Sequence, residues 1–183
     1  GLYFDEEELL NQVSKYESED GGLRLFPYSE PDVEVTAKAA HVLDNNYLEA
    51  KQKIYFRNIL NTDVYNEQIP AALWGLCKYK EPVLLKIYEL LENQDLKVRD
   101  RIYLSLALAE LGDNKAARKY YSEIIPQLKN SGEYLYLRSE EDAQDNYELT
   151  ALLAVLGGKV KDYDTSDKLF KYIYNNPSEY TLS

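Results

Sequence analysis

Apolar residues recur three and four positions apart along nearly every long segment of this chain, while strand-like alternation of Val, Thr and Ile is almost absent. A period near 3.6 places such residues on one helical face, so the chain is expected to be all-α. A first helix is expected over Asp5 to Tyr16, with Phe4, Leu9, Leu10 and Val13 on one face and acidic residues in the first turn, where the helix dipole favours negative charge. Asp32 can cap a helix running through Val35, Ala39, Val42 and Leu43, which Asn45-Asn46 ends. Further helices are expected over Leu48 to Leu60, Ile69 to Tyr79 and Val83 to Leu91, the last opening on Glu81-Pro82 because proline suits a first helical turn. Leu96 to Leu111 is apolar on several faces, as in a helix packed on both sides, and Gly112-Asp113 stops it. Lys115 to Leu128 follows, then a polar loop from Lys129 to Asp145, then Tyr147 to Leu156 ended by Gly157-Gly158, and last Asp167 to Asn175. About nine helices joined by short turns imply an array of antiparallel helical hairpins without a strict period.

A length of 183 residues fits a single domain, 1–183, with room for a sizeable core. Acidic residues outnumber basic ones 32 to 21, and no run of Lys or Arg alternates with aromatics, so nucleic acid is not an expected partner. The same negative field opposes binding to anionic membrane surfaces. No stretch approaches the roughly 20 apolar residues that span a bilayer, so direct membrane insertion is not expected, and the first residues lack a signal-peptide pattern. Met is absent even from position 1, which suggests a piece processed or excised from a larger multidomain chain. The single cysteine, Cys77, lies between apolar helix positions and reads as a buried thiol.

Candidate chemistry is sparse. His41 is the lone histidine and has no second histidine with which to share a metal, so it reads as structural or surface-exposed. The acidic run Glu140 to Asp145 contains Glu141-Asp142-x-x-Asp145, close to the aspartate-rich motif by which helical terpene synthases hold magnesium diphosphate. Arg138 is the only nearby cation in sequence, however, and solvated residues at a helix start are the simpler reading. With so many carboxylates a glycosidase-like pair can always be found, and its separation is not legible in sequence. No nucleophile elbow, phosphate-binding loop or dinucleotide fingerprint occurs, and Gly21-Gly22 and Gly157-Gly158 read as turns. No catalytic, cofactor-binding or metal-binding residue is therefore assigned. The chain holds 18 tyrosines, several at apolar helical positions (Tyr103, Tyr120, Tyr121, Tyr172), where the ring can fill core while the hydroxyl reaches a rim partner. The remaining tyrosines could form a recognition surface.

One stretch, Asp20-Gly21-Gly22-Leu23-Arg24-Leu25-Phe26-Pro27, leads through Ser29-Glu30-Pro31-Asp32 to a helix opening on Val35-Thr36-Ala37-Lys38. It resembles the turn-and-helix signature of alpha/alpha toroids, and most closely the thioester domain of bacterial alpha-2-macroglobulin-like and complement proteins. Three later segments resemble that family in the same order: Ala71-Ala72-Leu73-Trp74-Gly75-Leu76, the helix from Arg101 to Leu111 with Gly112-Asp113, and Asn146-Tyr147-Glu148-Leu149-Thr150-Ala151-Leu152-Leu153-Ala154. The resemblance implies an alpha/alpha toroid-like array, as a complete or incomplete ring, with Asp20, Gly21, Gly22, Phe26, Pro27, Asp32 and Thr36 as its structural signature. In that signature Gly21-Gly22 supplies a turn, Phe26 and Pro27 plug the corner, and Asp32 caps the next helix.

Proteins of this family trap proteases, many of them through an internal thioester within Cys-x-Glu-Gln. Here Cys77 is followed by Lys78-Tyr79-Lys80, so that motif is not present in this chain. The resemblance thus implies a non-catalytic module, not an enzyme, in an extracellular or cell-surface protease-trapping protein. Its partners would be neighbouring domains of the parent chain and target proteases. Two other readings stay open: a toroid enzyme acting on carbohydrate or terpenoid substrates, and a tetratricopeptide-like protein-binding module, the latter suggested by the hairpin Leu106 to Leu128.

Overall fold

In the computed structural model, which describes residues 13–43, 46–61, 66–93, 96–138 and 143–176, the periodic segments become helices and the chain is all-α. Among the described residues there are eight α-helices and two pairs of very short strands. The chain divides into two compact units, with the boundary between Val83 and Leu84.

In the first unit, β1 (Leu23–Arg24) pairs antiparallel with β2 (Pro31–Asp32), Leu23 opposite Asp32. Helix α1 (Val33–Val42) starts there because the Asp32 carboxylate accepts hydrogen bonds from the backbone of Glu34 and Val35, at 2.8 and 3.0 Å. Such a cap satisfies donors that a helix start otherwise leaves open. Helices α2 (Asn46–Leu60) and α3 (Ile69–Lys78) follow, and α3, buried along nearly its whole length, packs against both α1 and α2. The close approach of α2 and α3 requires Gly75, since a Cβ there would overlap the ring of fully buried Phe56. Cys77, the single cysteine, is buried in the same helix.

In the second unit, α4 (Leu84–Leu91), α5 (Val98–Glu110) and α6 (Asn114–Ile124) succeed one another, and a 3-10 turn over Ile125–Gln127 ends the run at Pro126. Helix α5 is the centre of this unit: it packs against α4, α6 and α7, and buries Ile102, Tyr103, Leu104, Leu106 and Leu108. That explains why its sequence is apolar on several faces. Beyond it lie β3 (Lys129–Ser131) and β4 (Tyr134–Tyr136), then α7 (Ala143–Lys159) and α8 (Tyr163–Asn175), which pack on each other.

Three expectations are corrected. The segment from Lys129 is not simply a polar loop, because residues 129–136 form an antiparallel hairpin turning at Gly132. Gly157-Gly158 does not stop a helix but lies within α7. A Cβ on Gly157 would come within 3.1 Å of the Tyr121 hydroxyl and 3.2 Å of Ser166 Cβ, so the glycine lets α6 and α8 approach α7 closely. The turn falls later, at Lys161, whose φ is +64°, and α8 therefore begins at Tyr163, four residues before the expected Asp167. Asp162 caps it by accepting from the Thr165 amide and also receives the Tyr121 hydroxyl at 3.0 Å. Burial together with that carboxylate pushes the Tyr121 phenol above its ordinary range. The first expected helix, Asp5 to Tyr16, lies almost wholly outside the described residues.

Candidate functional site

Of the signature residues, Asp20, Gly21, Gly22, Asp32 and Thr36 come together in a structural corner. Gly21 has φ +92°, and a Cβ on it would lie 2.6 Å from the backbone of Lys51, so both conformation and space demand glycine. Gly22 has the same lack of room, against Pro31 Cβ and the Tyr55 ring, each at 2.6 Å. The Ser18 hydroxyl lies 2.8 Å from the Gly22 carbonyl and also contacts the Asp20 carboxylate, while Lys51 pairs with Glu17 at 2.7 Å and ties the corner to α2. Thr36, fully buried, locks it: its hydroxyl donates to the Asp32 carbonyl at 2.6 Å and accepts from the Leu23 amide at 2.8 Å.

Phe26 and Pro27 do not plug this corner. Phe26 is 65% exposed, Tyr28 is 100% exposed, and Leu25 and Pro27 are also on the surface. The interior position belongs to Tyr55 of α2, whose phenol is pushed up to about 12 by burial and by the charges of Asp20 and Asp32. The loop Leu25 to Tyr28 is nevertheless held in shape. The Ser29 amide donates to the Phe26 carbonyl at 3.0 Å, the Ser29 hydroxyl bridges the Phe26 backbone, and the Arg24 guanidinium reaches the Pro27 carbonyl at 3.5 Å.

The same lock recurs in the second unit. Thr150, also fully buried, donates to the Asn146 carbonyl at 2.6 Å and accepts from the Leu137 amide at 3.0 Å, with amide and threonine thirteen residues apart in both copies. Around it Leu137-Arg138 matches Leu23-Arg24, and Glu148-Leu149-Thr150-Ala151 matches Glu34-Val35-Thr36-Ala37. The same threonine-centred pair of hydrogen bonds therefore occurs once in each unit. The sequence signal was the pair of Leu-Arg and Glu-x-Thr-Ala motifs at equal separation, visible only when the two segments are laid side by side.

Next to the second lock lies a cavity of about 440 Å³. Its walls come from the β3–β4 hairpin (Ser131, Tyr134, Tyr136), the segment leaving it (Leu137, Arg138), the start of α7 (Asn146) and the end of α8 (Tyr172, Asn176). The rings of Tyr136 and Tyr172 stack with centroids 4.7 Å apart and planes 11° from parallel, joining hairpin and helix into one aromatic wall. The Asn176 side chain donates to the Tyr172 carbonyl at 2.8 Å, which fixes its amide at the helix end. Arg138 is exposed at the rim, and among the described residues no carboxylate lines the cavity.

The other candidates fall elsewhere. His41 stacks on Trp74 with centroids 4.1 Å apart, and its Nε2 lies 3.0 Å from the Trp74 carbonyl, a structural place between α1 and α3. Glu140 to Asp142 lie outside the described residues, as do the side chains of the rest of that acidic run. Among the described residues no cluster of His, Cys, Asp or Glu is arranged to hold a metal ion, and no helix is long and apolar enough to cross a membrane. Compared with protein-family models and with curated proteins, the chain matches none.

Proposed function

We propose that this chain is a non-catalytic helical module of the thioester-domain type within an alpha-2-macroglobulin-like protease-trapping protein, and that it works through contacts with neighbouring domains. The observation that carries the reading is the loop Leu25-Phe26-Pro27-Tyr28, four consecutive apolar or aromatic residues presented to solvent. Exposing them costs solubility and gains nothing for the unit's own core, whereas aromatic side chains on a pre-shaped loop suit a protein interface. The turn residues of the family signature support the reading by building the base that holds this loop out. The extracellular or cell-surface location, the toroid ring and the target proteases belong to the same proposal.

The test uses the intact parent protein. Incubated with a protease, it should retain the enzyme in a form that still cleaves small peptide substrates but not large proteins, and Phe26→Ser with Tyr28→Ser should weaken that retention. A parent protein that is degraded without retaining the protease would contradict the trapping role. Retention equal in the double variant and the wild type would contradict the role given to the loop.

A further inference from the structure

We propose that the tyrosine-walled cavity of the second unit binds a neutral saccharide, a mono- or disaccharide or the end of a longer glycan. The proposal does not depend on the protease-trapping reading. Its volume, about 440 Å³, falls in the range of roughly 300 to 1,000 Å³ usual for small-molecule sites. Tyr134, Tyr136 and Tyr172 offer ring surface of the kind that packs against the C–H face of a pyranose, and the stacked pair is held rigid between hairpin and helix. Arg138 adds donors and the Asn176 carboxamide, whose Nδ2 donates to the Tyr172 carbonyl, adds its oxygen as an acceptor, a pairing that suits hydroxyls, which both donate and accept.

Charge selects among ligands. The Arg138 guanidinium at the rim repels a cation, which would otherwise suit an aromatic cage in an acidic protein. The net charge of −11 opposes an anion. A neutral polyol avoids both penalties.

The test is a titration of the chain, followed by amide chemical shifts, with maltose, cellobiose, lactose and diacetylchitobiose, and with glucuronate and choline as charged probes. At least one neutral disaccharide should give saturable shifts at Tyr134, Tyr136, Asn146 and Asn176, and the charged probes should not. Tyr136→Ala should weaken binding by about tenfold or more, the scale of one lost aromatic contact, and Arg138→Gln should weaken it several-fold. Arg138 is exposed, so its variant keeps the test decisive if Tyr136→Ala unfolds the hairpin. The proposal is overturned if no neutral disaccharide binds saturably, if glucuronate or choline occupies the cavity instead, or if Arg138→Gln binds as the wild type does.

Discussion

At the scale of single residues, the two buried threonines decide most. Thr36 and Thr150 each satisfy a buried leucine amide and a helix-start carbonyl with one hydroxyl, so Thr→Val keeps the shape but leaves the Leu23 or Leu137 amide buried without its partner. Each valine variant should lose about 1–3 kcal/mol in urea unfolding, the usual penalty for an unsatisfied buried group. The serine variants should lose much less, and equal losses for valine and serine would point to methyl packing instead. Glu81 offers a pH-dependent counterpart: it pairs with Arg57 at 2.5 Å and Lys53 at 3.0 Å, and these hydrogen bonds, Arg57's foremost, hold its carboxyl below the ordinary 4.5. The unfolded chain therefore takes up this proton more readily than the folded one, so the contribution is present above pH 4.5 and fades as pH falls through the lowered folded value. Glu81→Gln should destabilise near neutral pH and make progressively less difference in acid, as unfolding at the two conditions would show. Because the pair is partly exposed and screened by solvent, the effect should be small.

At the scale of elements, adjacent glycines in α7 should respond differently. A Cβ at Gly158 meets only Ser166 Oγ, at 3.8 Å, so Gly158→Ala gains helix propensity with little obstruction and should stabilise by roughly 0.5–1 kcal/mol. Gly157→Ala must displace Tyr121 and Ser166, and should yield no gain or a net loss, read from thermal melts of both variants. These glycines also show where the sequence misled. A Gly-Gly pair ordinarily marks a helix end, yet the competing demand here was close packing by α6 and α8, a tertiary fact that no local window contains. The helices themselves were legible because their stripes are local, and Asp32 as a cap was legible because capping is local too. The hairpin at 129–136 was not, since its Tyr-Leu-Tyr strand is short and sits in a polar context. The family signature implies an interior place for Phe26, but Tyr55, distant in sequence, already fills that space. The cavity could not be read at all, because its tyrosines come from a hairpin and from the end of α8.

At the scale of the whole molecule, the two units each carry one copy of the strand-to-helix lock, but elaborate it differently. Beside the first copy stands the exposed apolar loop Leu25 to Tyr28, whereas beside the second lies the tyrosine-walled cavity. The division of labour proposed above, protein contact through the first copy and small-ligand binding beside the second, follows that difference in surroundings. It predicts that loss of either lock impairs its own neighbouring surface: Thr36→Val should loosen the loop's presentation, and Thr150→Val the cavity, each detectable as local amide-shift changes confined to that unit. The central claim is that residues Leu25 to Tyr28 are an interface in the parent protein. Hydroxyl-radical footprinting of Phe26 and Tyr28 in the chain alone and in the intact parent tests it most directly, since both side chains are open to solvent in the chain. Strong labelling in the chain and marked protection in the parent is the predicted result, and equal labelling in the two would contradict it.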